Sequence, residues 1–130
     1  MAAKKASTVI RFFGPLEVSV DPNGVTRTLT HELRLADDFG DVWYIPAGFK
    51  TDFASTPRLM WRICPPAHGL YVWAAVVHDA FYRVPTYNLT RKRADKIFLG
   101  VMKFSGVPLW KRHMMYRAVR MFGGGSWKAR

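Results

Sequence analysis

His78, Asp79 and Asp95 are residue types that together perform general-base or metal chemistry. A carboxylate on one imidazole nitrogen fixes the tautomer and leaves the other nitrogen to take a proton from water. The residues fall in two motifs, His78-Asp79-x-x-Tyr82 and Ala94-Asp95-x-x-Phe98. Asp95 is also the only acidic residue after Asp79, in a stretch crowded with lysine and arginine, so its presence there calls for a reason. A third segment, Gly48 to Arg58, offers Asp52 as a further carboxylate near His78 and Arg58 as an anion clamp. Plain structural readings stand beside each of these. Asp79 would pair with Arg83, Asp95 with Arg91, and His78 would be a satisfied core histidine among Ala74, Val77 and Phe81. Asp52 or Ser55 would cap a helix beginning at Pro57, with Arg58 on Asp79 or Asp52.

Helical spacing decides which of these groups can meet. On a helix running from Leu70, positions 74, 78, 81 and 82 share a face, so His78 and Tyr82 lie one turn apart while Asp79 is turned by roughly 100°. On the next helix Arg91, Asp95, Phe98 and Met102 align in the same way. If the two run antiparallel through the 84–89 connection, His78 meets Asp95.

The elements around these helices follow from a change of periodicity near residue 54. Before it, Thr8–Phe13, Leu16–Val20, Val25–Leu35 and Val42–Ile45 are short runs rich in β-branched and aromatic residues, which predicts strands. Asp21-Pro-Asn-Gly24 and Asp37 to Asp41 have the composition of turns. After it come helices, each with a start signal: Ser55 or Thr56 before Pro57, Gly69 before Leu70–Tyr82, Thr90 before Arg91–Phe104, and Pro108 before the run to Phe122. Pro85 and Gly123-Gly-Gly125 are the breaks. Strands followed by helices without alternation predict an α+β fold, a small N-terminal antiparallel β-sheet packed against three to four C-terminal α-helices. A chain of 130 residues with 49% hydrophobic side chains fits one domain, 1–130. Residues 1–53 are mainly β, 54–123 mainly α, and 124–130 form a basic tail.

Charge is divided unevenly along that plan. Residues 1–79 carry eight basic and eight acidic side chains, and residues 80–130 carry twelve basic and one acidic, so the net charge of +11 resides in the helical part. Such a surface attracts an anionic partner, whether a membrane or nucleic acid, and equally an acidic protein. Trp110, His113 and Tyr116 add aromatic character to the basic helix from Pro108, without a recognised nucleic-acid motif. Trp127, Lys128 and Arg130, beyond the glycines, are the residues expected to face a partner. The single cysteine, Cys64, excludes an intramolecular disulfide and a cysteine-based metal cluster. No apolar run approaches a membrane span, and the N-terminal residues lack the apolar stretch of a signal peptide.

The motifs also carry two resemblances. Ile45-Pro-x-Gly48-Phe-x-Thr-Asp52-Phe-Ala-Ser-x-Pro-Arg58, Trp61, Pro65-Pro66, Gly69, Ala74-Ala75-x-x-His78-Asp79-x-x-Tyr82-Arg83 and Arg91-x-x-Ala94-Asp95-x-x-Phe98, with Met102 and Gly106-Val107, resemble domain-of-unknown-function family 1353 over roughly residues 12–123. That family is carried mostly by bacteriophages and prophages and has no settled activity. It implies a phage origin: a virion component of the tail or neck or of the delivery machinery, found in the particle or the infected host's cytoplasm, with other phage structural proteins as partners. The two helical motifs alone are also similar to the catalytic helix pair of secreted and parvoviral phospholipases A2. This implies His78 as the base, Asp95 as the carboxylate that orients it, Tyr82 in support, and Asp79 as a ligand to calcium, which would stabilise the oxyanion. The Gly-rich calcium loop of those enzymes is absent before the helix, where Cys64-Pro-Pro-Ala-His-Gly69 stands instead.

Three functions are therefore in view. The first is a phage virion or delivery component whose polar His/Asp cluster pins helices to sheet. The second is a small hydrolase using His78, either calcium-dependent on phospholipid or zinc-dependent on peptidoglycan or phosphoesters, with Asp52, His68, His78 and Asp79 as zinc donors. The third is a nucleic-acid-binding accessory protein.

Overall fold

The computed structural model describes residues 9–24, 26–37, 40–51 and 69–127, with the backbone alone at 69 and 70. Six short strands precede three helices, the α+β order that the change in periodicity predicts. The strands form two antiparallel three-stranded sheets rather than one. The first contains β1 (Ile10–Phe12), β4 (Leu33–Asp37) and β5 (Val42–Ile45), in the order β1-β4-β5. The second contains β2 (Val18–Val20), β3 (Arg27–Leu29) and β6 (Lys50–Thr51), in the order β2-β3-β6.

The split falls inside the run from Val25 to Leu35 that the sequence presents as continuous. Leu29 and Leu33 are both buried, but Thr30, His31 and Glu32 between them are all exposed, which breaks the period-two alternation of one strand. Thr30 N–H donates back to Glu17 O at 2.9 Å, so the chain leaves one sheet there and enters the other. In β4 and β5 the alternation is kept. Leu33 and Leu35 lie opposite Ile45 and Trp43, all four facing the core, while Arg34 and Tyr44 face out. Gly24, at φ 75°, closes the β2–β3 turn by donating to Asp21 O at 2.9 Å, a conformation that favours glycine.

The helices are α1 (Gly69–Arg83), α2 (Arg91–Phe104) and α3 (Leu109–Phe122). Val84, ahead of Pro85, is extended as a pre-proline residue must be, and a 3₁₀ turn over Pro85–Tyr87 reverses the chain. Thr90 caps α2, its side chain accepting from Arg93 N–H at 3.1 Å. Gly106, at φ 87°, ends α2 with paired bonds from Gly106 N–H to Lys103 O and from Val107 N–H to Met102 O, a Schellman stop. Gly123-Gly-Gly125 does not simply end α3 but continues as a 3₁₀ turn over Gly123–Ser126. Tyr82 meets Arg91 while His78 meets Asp95 and Phe98, so α1 and α2 run antiparallel as the spacing requires. Val76, Val77, Phe81, Ile97, Val101 and Met102 from these helices join Leu33, Leu35 and Ile45 from the sheet in one apolar core, which fixes the helix pair that carries the chemistry.

Candidate functional site around His78 and Asp95

The antiparallel seam of α1 and α2 places His78 Nε2 2.9 Å from Asp95 Oδ1, with both side chains fully buried. Tyr82, one turn after His78, donates its hydroxyl to the same oxygen at 2.6 Å. Arg120 of α3 donates to the other oxygen, Oδ2, at 2.7 Å. The His78 ring lies between Tyr82 and Phe98, with centroids 4.1 and 4.5 Å away.

Burial alone would raise the Asp95 carboxyl above its ordinary range. The hydrogen bonds from His78, Tyr82 and Arg120 outweigh burial and hold it below that range. Asp95 is therefore a carboxylate, able only to accept, and the shared proton belongs on His78 Nε2. In a neutral imidazole this tautomer puts the basic lone pair on Nδ1. Burial, then the adjacent Asp95, raises the Tyr82 phenol well above its usual value, so it remains a donor. The bond to Asp95 likewise raises the Arg120 guanidinium.

Arg91, expected on Asp95, is placed otherwise. Its Nε donates to Tyr82 Oη at 3.1 Å, and a terminal nitrogen donates to Val119 O and Arg120 O at 2.7 and 2.8 Å. It thus neutralises the C-terminal end of α3 and leaves Asp95 to Arg120. Gly123 lies against the same group: a β-carbon there would stand 3.1 Å from Tyr82 Oη. Trp127 closes the cluster from outside, its ring edge-on to Tyr82 at 5.1 Å. This partly buried indole packs onto the core.

Asp79, turned away from His78, points to the sheet. Its Oδ2 accepts from Arg83 at 2.9 Å, and Arg83 donates in turn to Lys50 O of β6 at 2.7 Å, with its guanidinium over the Phe49 ring. The plain pairing of Asp79 with Arg83 therefore holds. Asp79 Oδ1 is nevertheless buried without a hydrogen-bond partner among the described residues. It is the feature of this carboxylate that would suit a cation. Those residues contain no cluster of three His, Cys, Asp or Glu side chains suited to a metal, so they do not by themselves fit calcium or zinc. Asp52, Arg58, His68, Lys128 and Arg130 lie outside the described residues.

Comparison with known proteins agrees with the signature in these helices. The model of the family described as "Protein of unknown function (DUF1353)" matches residues 27–119. The chain belongs to this family. Among curated relatives, an uncharacterized protein, y4jT, of Sinorhizobium fredii is 34% identical over 107 residues, covering 82% of this chain. The chain spans only 31% of that relative's length. No solved structure matches. His78, Tyr82, Arg91 and Asp95 of the polar cluster fall within the matched segment, and Arg120 lies one residue beyond it.

Sequence reasoning missed Arg120 and Gly123. The isolated acid in a basic segment signals that Asp95 has a cationic partner, but spacing within α2 points to Arg91, and only the packing of α3 selects Arg120. A second ionic cluster was also missed. Arg93 of α2 donates to the buried Asp37 Oδ2 at 2.9 Å and also to Asp41, with its guanidinium 5.0 Å from the Trp43 ring centroid. It ties α2 to the β4–β5 turn.

Proposed function

We propose that the chain is a small hydrolase-type domain in which His78 is the general base and Asp95 its positioning residue. The observation that carries this reading is the convergence of His78 Nε2 and Tyr82 Oη on one oxygen of a carboxylate held ionised. That arrangement fixes the imidazole's orientation and tautomer. In the reaction, the His78 imidazole would take a proton from water as the water oxygen bonds to an ester carbonyl carbon, and return it to the departing alkoxide. Asp95 would stay ionised throughout and stabilise the imidazolium. Asp79, whose Oδ1 has no hydrogen-bond partner among the described residues, is the residue proposed to receive a divalent cation, calcium before zinc. The similarity of the helix pair to phospholipase A2 favours a phospholipid ester as substrate, with peptidoglycan as the alternative.

The decisive assay compares the protein with His78→Gln on anionic phospholipid vesicles and on purified peptidoglycan, with calcium or zinc and with chelator. Release of fatty acid or of soluble glycan by the protein, lost in a His78→Gln variant that keeps its circular dichroism, is the expected result. No turnover on either substrate would sink the reading.

A second reading rests on the complete burial of His78, Asp79 and Asp95. Here the cluster is a structural pin in a phage-encoded virion or delivery component of the tail or neck, with other particle proteins as partners. In that case His78→Gln would lower stability with no activity to lose, and mass spectrometry of purified particles would find the chain.

A further inference from the structure

The outer side of α3 is built unlike the side that meets the core. Met115, Ala118 and Val119 are buried, whereas Leu109, Trp110 and Met121 are 60, 62 and 73% exposed. At about 100° per residue, Leu109, His113, Arg117, Trp110 and Met121 fall in one sector and are exposed; Met114 at its edge is partly buried against the core, and Arg120 in the same sector turns to Asp95. Lys111 and Arg112 lie outside that sector, partly exposed on the flanks of the buried side. The helix has no acidic residue, and none follows Asp95 anywhere in the chain. Lys111 rests over the Trp110 ring at 5.5 Å, and Arg112 donates to the neutral Val107 carbonyl at 3.1 Å. Among the described residues no carboxylate answers the positive charge on this face, unlike that of Arg93 and Arg120, which sit on carboxylates.

We infer that this face of α3 is a docking surface for an anionic phospholipid bilayer, with the helix lying in the plane of the headgroups. Exposed apolar side chains at both ends of the helix, with tryptophan at one end and the exposed Arg117 between them, suit the boundary of headgroup and acyl chain. Lysine and arginine stems can lie along that boundary while their charges reach the phosphates. Nucleic acid accounts for the cations and Trp110 but gives the aliphatic Leu109 and Met121 nothing to pack against. A second copy would set like charges against each other, because α3 has no acid to answer Arg117 or Lys111. No helix among the described residues is long and apolar enough to cross a membrane, so the mode is surface binding. The surface stands whether or not the His78 dyad turns over substrate, since none of its residues belongs to that cluster.

The test is co-sedimentation of the full chain with vesicles of phosphatidylcholine alone and of phosphatidylcholine with phosphatidylglycerol. Binding is expected only to the anionic vesicles, weakening as salt is raised. Each cation near an anionic surface contributes about 1 kcal/mol, or about fivefold, so Arg117→Gln should weaken binding by about that factor. Trp110→Ser should weaken it as well, by an amount that salt does not change. Both side chains are outside the core, so unchanged melting temperatures are expected and serve as the folding control. Retention of full vesicle binding by both folded variants would overturn the proposal. So would failure to bind anionic vesicles together with Trp110-dependent binding to a short DNA duplex or Trp110-dependent self-association.

Discussion

Asp95 and Asp79 are equally buried carboxylates on adjacent helices, yet the structure treats them in opposite ways. At the helix–helix seam both Asp95 oxygens are answered, one by His78 and Tyr82 and the other by Arg120. At the helix–sheet seam Asp79 has Arg83 on one oxygen, while the other has no partner among the described residues. A saturated buried carboxylate holds structure in place, because each donor it satisfies would otherwise be buried without an acceptor. A half-satisfied one contributes less and leaves an open valence. The difference separates what orients His78 from what remains open to a ligand.

Removing the saturated carboxylate should have the largest effect. Asp95→Ala is expected to destabilise the fold by about 3–5 kcal/mol, since it leaves His78, Tyr82 and Arg120 without their common acceptor. Urea unfolding measures this, and a loss below about 1 kcal/mol would break the contrast drawn between the two seams. Arg120→Met should follow at about 1–2 kcal/mol, discounted because the arginine is about one-third exposed and partly screened.

The acid limb of stability provides a third measure. The Asp95 carboxyl is held below its ordinary value in the folded chain, so its contribution is fully present above the unfolded carboxyl range near about 4. That contribution is lost as pH falls through the lower folded value. Asp95→Asn should therefore be less stable at neutral pH and lose less on going to about pH 3, as read from denaturation curves at each pH. Parallel acid limbs in the two proteins would show that other carboxyls dominate.

Tyr82→Phe removes one hydrogen bond and should weaken the fold by about 1 kcal/mol, with the phenylalanine still able to pack on His78. Asp79→Asn is expected to be smallest, within about 1 kcal/mol of the parent, because the weakened Arg83 bond is offset by removal of a buried charge that only one of its two oxygens shares with a donor among the described residues. The same variant sharpens the comparison. If calcium raises the parent's melting temperature and Asp79→Asn abolishes that rise, the open oxygen is a cation ligand.

The local rules were already present in the sequence. The change from period two to helical spacing, Thr90 as a cap, Pro85 as a break, and strands preceding helices all depend on a few neighbouring residues. So does the alignment of His78 with Tyr82 and of Arg91 with Asp95 along their own helices, and with a short connection the meeting of His78 and Asp95 follows. Family membership was legible for the same reason, since its signature lies in these local motifs.

Tertiary packing decided what no local rule contains. The break at Thr30 to Glu32 sends neighbouring strands into different sheets because Leu29 and Leu33 must both be buried while the polar residues between them stay in water. Among the twelve basic side chains of residues 80–130, Arg120 rather than Arg91 reaches Asp95 because α3 packs across the seam and gives Arg91 its own carbonyl acceptors. Periodicity fixes the direction a side chain takes around its own helix axis. Which charge it meets there depends on how another helix crosses, and that is set by the shape of the whole core.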